Sequence, residues 1–262
     1  MKNILLLVIA ISLTSCKNNK KESIDYSKEN LEITTSIYPE NISKVFEAHG
    51  GVENWNKMQS LTFTIPNPNG GEVTTTDLKY RKSLIDMPNH ILGFNGKDIW
   101  LKDKDTTQYK GNPKFYYNLM FYFYAMPFVL ADDGIIYEEA EPLVFEDKSY
   151  PGIKIAYESG IGESPDDEYI LYYDPDTYQM SWLAYTVTYF SKEKSKDFRF
   201  IQYGNWQEVD GLLLPETISW YNVENNLPTT LRNNVQFTNI KLSKEKPDAT
   251  RFEVPENARI IK

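Results

Sequence analysis

Residues 113–130 read PKFYYNLMFYFYAMPFVL, a run of rings bracketed by two prolines. Phe115, Leu119, Tyr122 and Phe123 fall at helical spacing, which predicts a helix over residues 114–125 that ends before Pro127. The run is too short to span a bilayer, which takes roughly 20 apolar residues. Asn118 and Pro127 also interrupt it. A helix with rings on every side must be buried on most sides or lie against a lipid-like ligand. Two readings follow. Either the helix fills a core, or it lines an apolar pocket through Phe115, Tyr116, Leu119, Tyr122, Phe123 and Met126. Buried tyrosine hydroxyls need partners, and such groups could orient a head group.

The flanks of this run alternate with period two. Leu61, Phe63 and Ile65 alternate with threonines; residues 72–87, 90–94 and 97–101 read as successive strands. Asn95-Gly96 is the strongest hairpin signal, both residues being expected at positive φ. Downstream, Tyr169, Leu171 and Tyr173 alternate, as do Leu183, Tyr185, Val187 and Tyr189. Asp174-Pro175-Asp176-Thr177 is a turn between them. Gly204-Asn205 and Asp210-Gly211 read as breaks, and a bulge near Asn239 would bring Ile240 and Leu242 into phase with Val235 and Phe237. The acidic stretch 131–168 reads as loops with one or two short strands. Ahead of all this, residues 39–58 read as helical, with Ile42, Val45 and Phe46 on one face and a cap at Gly50-Gly51. The sum is an α+β fold: about nine antiparallel strands in a curved sheet, an incomplete β-barrel with helices plugging the opening.

Composition limits the chemistry. With 37 acidic and 28 basic side chains the net charge is −9, which argues against nucleic acid as a partner. One cysteine and two histidines leave no thiolate cluster and no three-histidine metal site, so no metal, cofactor or catalytic residue is assigned. His49 and His90 read as structural. Asp166-Asp167-Glu168 and the Asp174 turn lack calcium-loop spacing and read as solvated turns. A hydrolase using two carboxylates is the enzymatic alternative; it requires a cleft with paired acids, one of raised pKa.

The first sixteen residues, MKNILLLVIAISLTSC, carry Lys2 and an apolar stretch over residues 4–13. That is a signal-peptide pattern. Its end, Leu13-Thr14-Ser15-Cys16, resembles the bacterial lipobox, which implies cleavage after residue 15 and acylation of Cys16. One acyl chain holds a protein to a membrane weakly, whereas two or more hold it durably. Residues 16–38 then read as a lipidated, polar tether, and 39–262 as a single domain. Lys17 follows the cysteine where aspartate would signal retention, a pattern that resembles an outer-membrane destination. The expected location is therefore the outer membrane, on its periplasmic face rather than the cell surface.

Several motifs occur together and in order: Ala48-His49-Gly50-Gly51 with Trp55 and Leu61; Asn112-Pro113 with Phe115-Tyr116; Pro127-Phe128 with Asp132 and Gly134; Gly211-Leu212-Leu213-Leu214-Pro215; and Phe252 with Pro255. From about residue 40 to 258 the chain resembles an uncharacterised family of bacterial lipoproteins, a domain of unknown function. That family is distantly similar to the LolA/LolB-type outer-membrane lipoprotein carriers. The resemblance implies a half-barrel and an apolar cavity for acyl chains. The expected function is thus a non-enzymatic, membrane-anchored lipoprotein that binds a lipid or acyl chain between sheet and helix. The alternative is a structural or interaction module of an envelope complex, with a filled core and a protein partner.

Overall fold

The computed structural model describes residues 37–157, 167–191 and 193–262. Cys16, the signal pattern and the tether up to residue 36 lie outside them. Pro39 precedes α1 (Glu40–Ala48), and α2 (Val52–Lys57) follows; then come β1 (Ser60–Ile65), β2 (Glu72–Asp77), β3 (Ser83–Asp86), β4 (His90–Phe94) and β5 (Ile99–Asp103). Two short helices, α3 (Pro113–Tyr116) and α4 (Leu119–Tyr124), and a 3-10 turn (Phe128–Ala131) separate these from β6 (Ile135–Phe145), β7 (Lys148–Tyr157), β8 (Tyr169–Tyr173), β9 (Met180–Tyr185), β10 (Arg199–Val209), β11 (Leu212–Glu224) and β12 (Leu227–Gln236). β13 (Thr238–Ser243), a 3-10 turn (Ala249–Phe252) and β14 (Arg259–Ile260) close the chain. No described helix is long and apolar enough to cross a membrane.

The strands form two seven-stranded antiparallel sheets, ordered β13-β1-β2-β3-β4-β5-β14 and β12-β11-β10-β9-β8-β7-β6. Only Phe237 separates β12 in the second sheet from β13 in the first, and it is buried (2% exposed). The sheets curve without closing, and α1, α2 and α4 occupy the space between them, as an incomplete barrel with plugging helices requires. The expected bulge is present: Thr62 faces Lys241 and Thr64 faces Thr238, leaving Asn239 (φ 53°) and Ile240 opposite Phe63.

Three expectations are corrected. First, the described residues hold fourteen strands, because residues 72–87 divide into β2 and β3 and because the acidic stretch holds the long β6–β7 hairpin. β6 is an edge strand with a largely exposed surface, so its carboxylates are solvated. Pro142 and Pro151 both sit where the ladder slips between Ala140 and Leu143, the position in a sheet that tolerates proline. Glu146 and Asp147 (φ 48° and 62°) make the two-residue turn. Secondly, at residues 95–98 only Gly96 has positive φ. The Asn95 side chain instead accepts from the amides of Lys97 and Asp98 in a four-residue loop. Thirdly, β10 runs unbroken through Gly204-Asn205.

The predicted helix over residues 114–125 is also divided. The chain breaks at Asn118 (φ −135°, ψ 3°) between α3 and α4. The break lets two neighbouring segments serve two cores. Tyr117 packs 4.9 Å from Phe94 beside Ile85, Leu92 and Leu101, and its carbonyl accepts from Ser83 Oγ. Phe121, Phe123 and Tyr124 enter the main core, where Tyr124 stacks between Phe63 (4.6 Å) and Phe237 (4.5 Å). A straight helix could not turn both sets of rings inward. Phe121, Tyr124 and Phe128 are each at most 1% exposed, and burial of such a ring contributes about 2–3 kcal/mol. The aromatic rod is therefore wrapped by the sheets and does not project into water.

Candidate functional site

His49, at the C-terminus of α1, is completely buried. Its Nε2 accepts from the Met180 amide at 2.9 Å, and Nδ1 lies 3.4 Å from the Leu213 carbonyl. The ring is therefore neutral, with its proton on Nδ1, and it packs 4.3 Å from Trp206. Burial pushes its pKa down to about 4. The residue ties α1 to β9 and β11, a structural role. His90 is likewise structural, its Nε2 donating to the Thr107 carbonyl at 2.8 Å. No group of three or more metal-ligating side chains occurs among the described residues.

The chief cavity, about 650 Å³, lies between the α3–α4 segment and the inner face of the second sheet. Its size falls inside the range of about 300–1,000 Å³ usual for small-molecule sites. Phe115, Leu119, Met120, Tyr122, Phe123 and Met126 line one side. Tyr157, Tyr169, Tyr185 and Trp220 line the other. Phe123 reaches across to Tyr185 (5.0 Å) and Trp220 (6.0 Å). The Tyr203 hydroxyl holds α4 from beneath by donating to the Phe123 carbonyl at 2.8 Å. Trp220 Nε1 donates to the Tyr185 hydroxyl at 3.1 Å. Burial raises the pKa of Tyr157 to about 12 and raises Tyr169 and Tyr185 as well, so these hydroxyls stay neutral.

Of the six residues read as pocket lining, five face this cavity and Tyr116 does not. Tyr116 points towards β2, where its hydroxyl donates to the Glu72 carboxylate at 3.0 Å; burial raises both groups. The break at Asn118 rotates α3 away from the α4 register, which a single helical wheel could not foretell.

Two of the three carboxylates lining the cavity, Asp132 and Asp167, are engaged structurally. Both oxygens of Asp132 lie 2.6 Å from Arg81 Nη2, and desolvation raises its pKa against that pairing. Asp167, expected in a solvated turn, is buried and accepts from the Thr188 amide at 2.6 Å. Sequence reasoning missed the ring row on β7, β8, β9 and β11 and the three cavity-lining arginines, Arg81, Arg199 and Arg232. The alternation of Tyr169 with Leu171 and of Leu183 with Tyr185 marked faces of strands, but not which face meets α4.

The strands and helices thus make a curved, unclosed antiparallel half-barrel with helices in its opening and an apolar cavity beneath them. The chain belongs to DUF6503, a family of unknown function, which it matches over residues 75–236. Among solved structures it is similar to a LolA superfamily protein from Nitrosomonas europaea, at 9% identity and a TM-score of 0.44, covering 78% of this chain and 96% of that one. It is similar to a DUF1329 family protein from Desulfovibrio piger, at 12% identity and a TM-score of 0.46, covering 77% and 92%. It also resembles the Mycobacterium tuberculosis lipoprotein LppX, at 10% identity and a TM-score of 0.24, covering 55% and 85%. No curated protein matches it.

Proposed function

We propose that the protein is a non-enzymatic binder of a hydrophobic ligand, a lipid or acyl chain, held to the periplasmic face of the outer membrane by acylated Cys16. The observation that carries this reading is the cavity itself: about 650 Å³ between α4 and the ring row of the second sheet, lined mainly by aromatic and thioether side chains. That volume supports a container over a filled core, the premise of a purely structural module. A carboxylate hydrolase is the weaker reading, because two of the three acids lining the cavity are committed, Asp132 to Arg81 and Asp167 to the Thr188 amide.

The full chain, purified from membranes, is expected to release a lipid or fatty acid on solvent extraction and to take up a fluorescent acyl probe. Leu119→Trp, which fills the cavity from α4, is expected to reduce uptake about tenfold, the loss of roughly 1.4 kcal/mol of binding. An extract without apolar ligand, together with no uptake by the wild type, would end the reading. The anchor is tested separately. Cys16→Ser is expected to abolish labelling with palmitate and to move the protein to the soluble fraction, since only acyl chains would hold it. Undiminished membrane retention of that variant would refute the anchor.

A further inference from the structure

The two ends of the cavity differ in charge. Across the second sheet, Arg199 on β10 stands opposite Tyr185 on β9, Tyr185 opposite Tyr169 on β8, Tyr169 opposite Ile155 on β7, and Tyr157 opposite Ile135 on β6. Cross-strand partners share a face, and so do residues two apart, so these side chains form one row. Arg232 joins the Arg199 end from β12. It occupies the slip where Trp220 faces Asn233 and Tyr221 faces Leu231. Asp132 and Asp133 precede β6 at the far end. The only arginine lining that end, Arg81, is held by Asp132.

Arg199 and Arg232 form no ion pair with any described residue. Both are exposed, yet both line the cavity, so their guanidinium groups stand at a mouth where aromatic wall gives way to water. Their field reaches the Tyr185 hydroxyl inside, where it opposes the rise in pKa that burial causes. Planar guanidinium groups bind carboxylate and phosphate oxygens two at a time, which a point charge does not.

Resting on the pocket reading above, we infer that the ligand is a single-tailed anionic amphiphile. Its carboxylate or phosphate head is clamped by Arg199 and Arg232, and its tail runs between Phe123, Tyr185 and Trp220 beneath α4. The acidic far end disfavours the reverse orientation.

The test measures displacement of a fluorescent acyl probe from the full chain by hexadecanoate, hexadecyl phosphate and uncharged hexadecanol. Wild type is compared with the Arg199→Gln/Arg232→Gln variant. Taking the variant-to-wild-type ratio for each ligand cancels partition into detergent. The wild type is expected to prefer at least one anion over hexadecanol by about tenfold or more, and the variant to lose that preference. Whichever anion binds tighter identifies the head group. Equal binding of all three by the wild type, or a preference that survives in the variant, would overturn the inference and leave the pocket reading standing. Failure of the wild type to bind any of the three would overturn both.

Discussion

Lowering the pH from 6.5 to 4 is expected to destabilise the fold by about 3 kcal/mol through His49 alone. The sign follows from the direction of the shift. In the unfolded chain the imidazole titrates near 6.5, whereas in the fold burial holds it neutral until about pH 4. Above 6.5 both states are neutral and the stability is complete. As the pH falls through the window the unfolded state takes up the proton first, and stability is lost; below about 4 the loss stops growing. Roughly 2 kcal/mol of it falls between pH 6.5 and 5, a range in which ordinary exposed carboxylates remain ionised. Protonation would also replace the Nε2 lone pair that accepts from the Met180 amide with a second donor, leaving both groups unpaired. Urea denaturation at pH 7.5, 6.5, 5.5 and 5 measures the slope. His49→Gln is expected to start from lower stability and to show a flatter dependence across the same range. A wild-type midpoint independent of pH between 7 and 5 would contradict the assignment.

Gly50→Ala is expected to cost about 4 kcal/mol, and Gly51→Ala only about 1–2 kcal/mol. Both glycines have positive φ, 99° and 85°, so each replacement carries the backbone penalty of a left-handed L-residue. Only Gly50 is also confined. A Cβ there would lie 2.1 Å from the Gly211 carbonyl oxygen and 3.0 Å from Leu212 Cα, whereas a Cβ on Gly51 meets nothing within 4 Å. The obstacle at Gly50 is backbone at the β10–β11 turn, which cannot rotate aside as a side chain would. To relieve it, α1 must retreat from the second sheet, weakening the bond between the Leu213 amide and the His49 carbonyl (2.9 Å) and the contact of His49 with Met180. Equal losses in the two variants, read from urea midpoints at pH 7.5, would show that the close approach imposes no constraint.

Much of this architecture is written locally in the chain. β4 coincides with residues 90–94, the Asp174 side chain accepts from the amides of Asp176 and Thr177 as its turn pattern requires, and the Asn239 bulge follows from a phase shift in hydrophobic alternation. Burial of the aromatic segment was legible because seven rings within residues 115–124 leave no polar stripe for water. What was hidden depends on tertiary context. β6 carries acids because its edge position lets them reach solvent, so alternation is masked just where the strand is longest. The cavity wall joins side chains from every strand of the second sheet, and Arg199 meets Arg232 only because β10, β11 and β12 lie side by side. The orientation of Tyr116 depends on a break at Asn118 that propensity does not signal, since Asn118 stands between two segments of similar aromatic character.

Ten of the twelve strand pairings join neighbours in sequence; the exceptions are β1 with β13 and β5 with β14. Both exceptions flank the first sheet. As the polypeptide emerges from the ribosome, β1 to β5 can zip into hairpins early, yet both outer margins stay without hydrogen-bond partners until residues 238–260 have been synthesised. Through that interval the nascent sheet offers two open templates for pairing with another molecule. Chaperone protection would therefore matter most for this N-terminal half, and the last strands act as the fasteners that end its vulnerability.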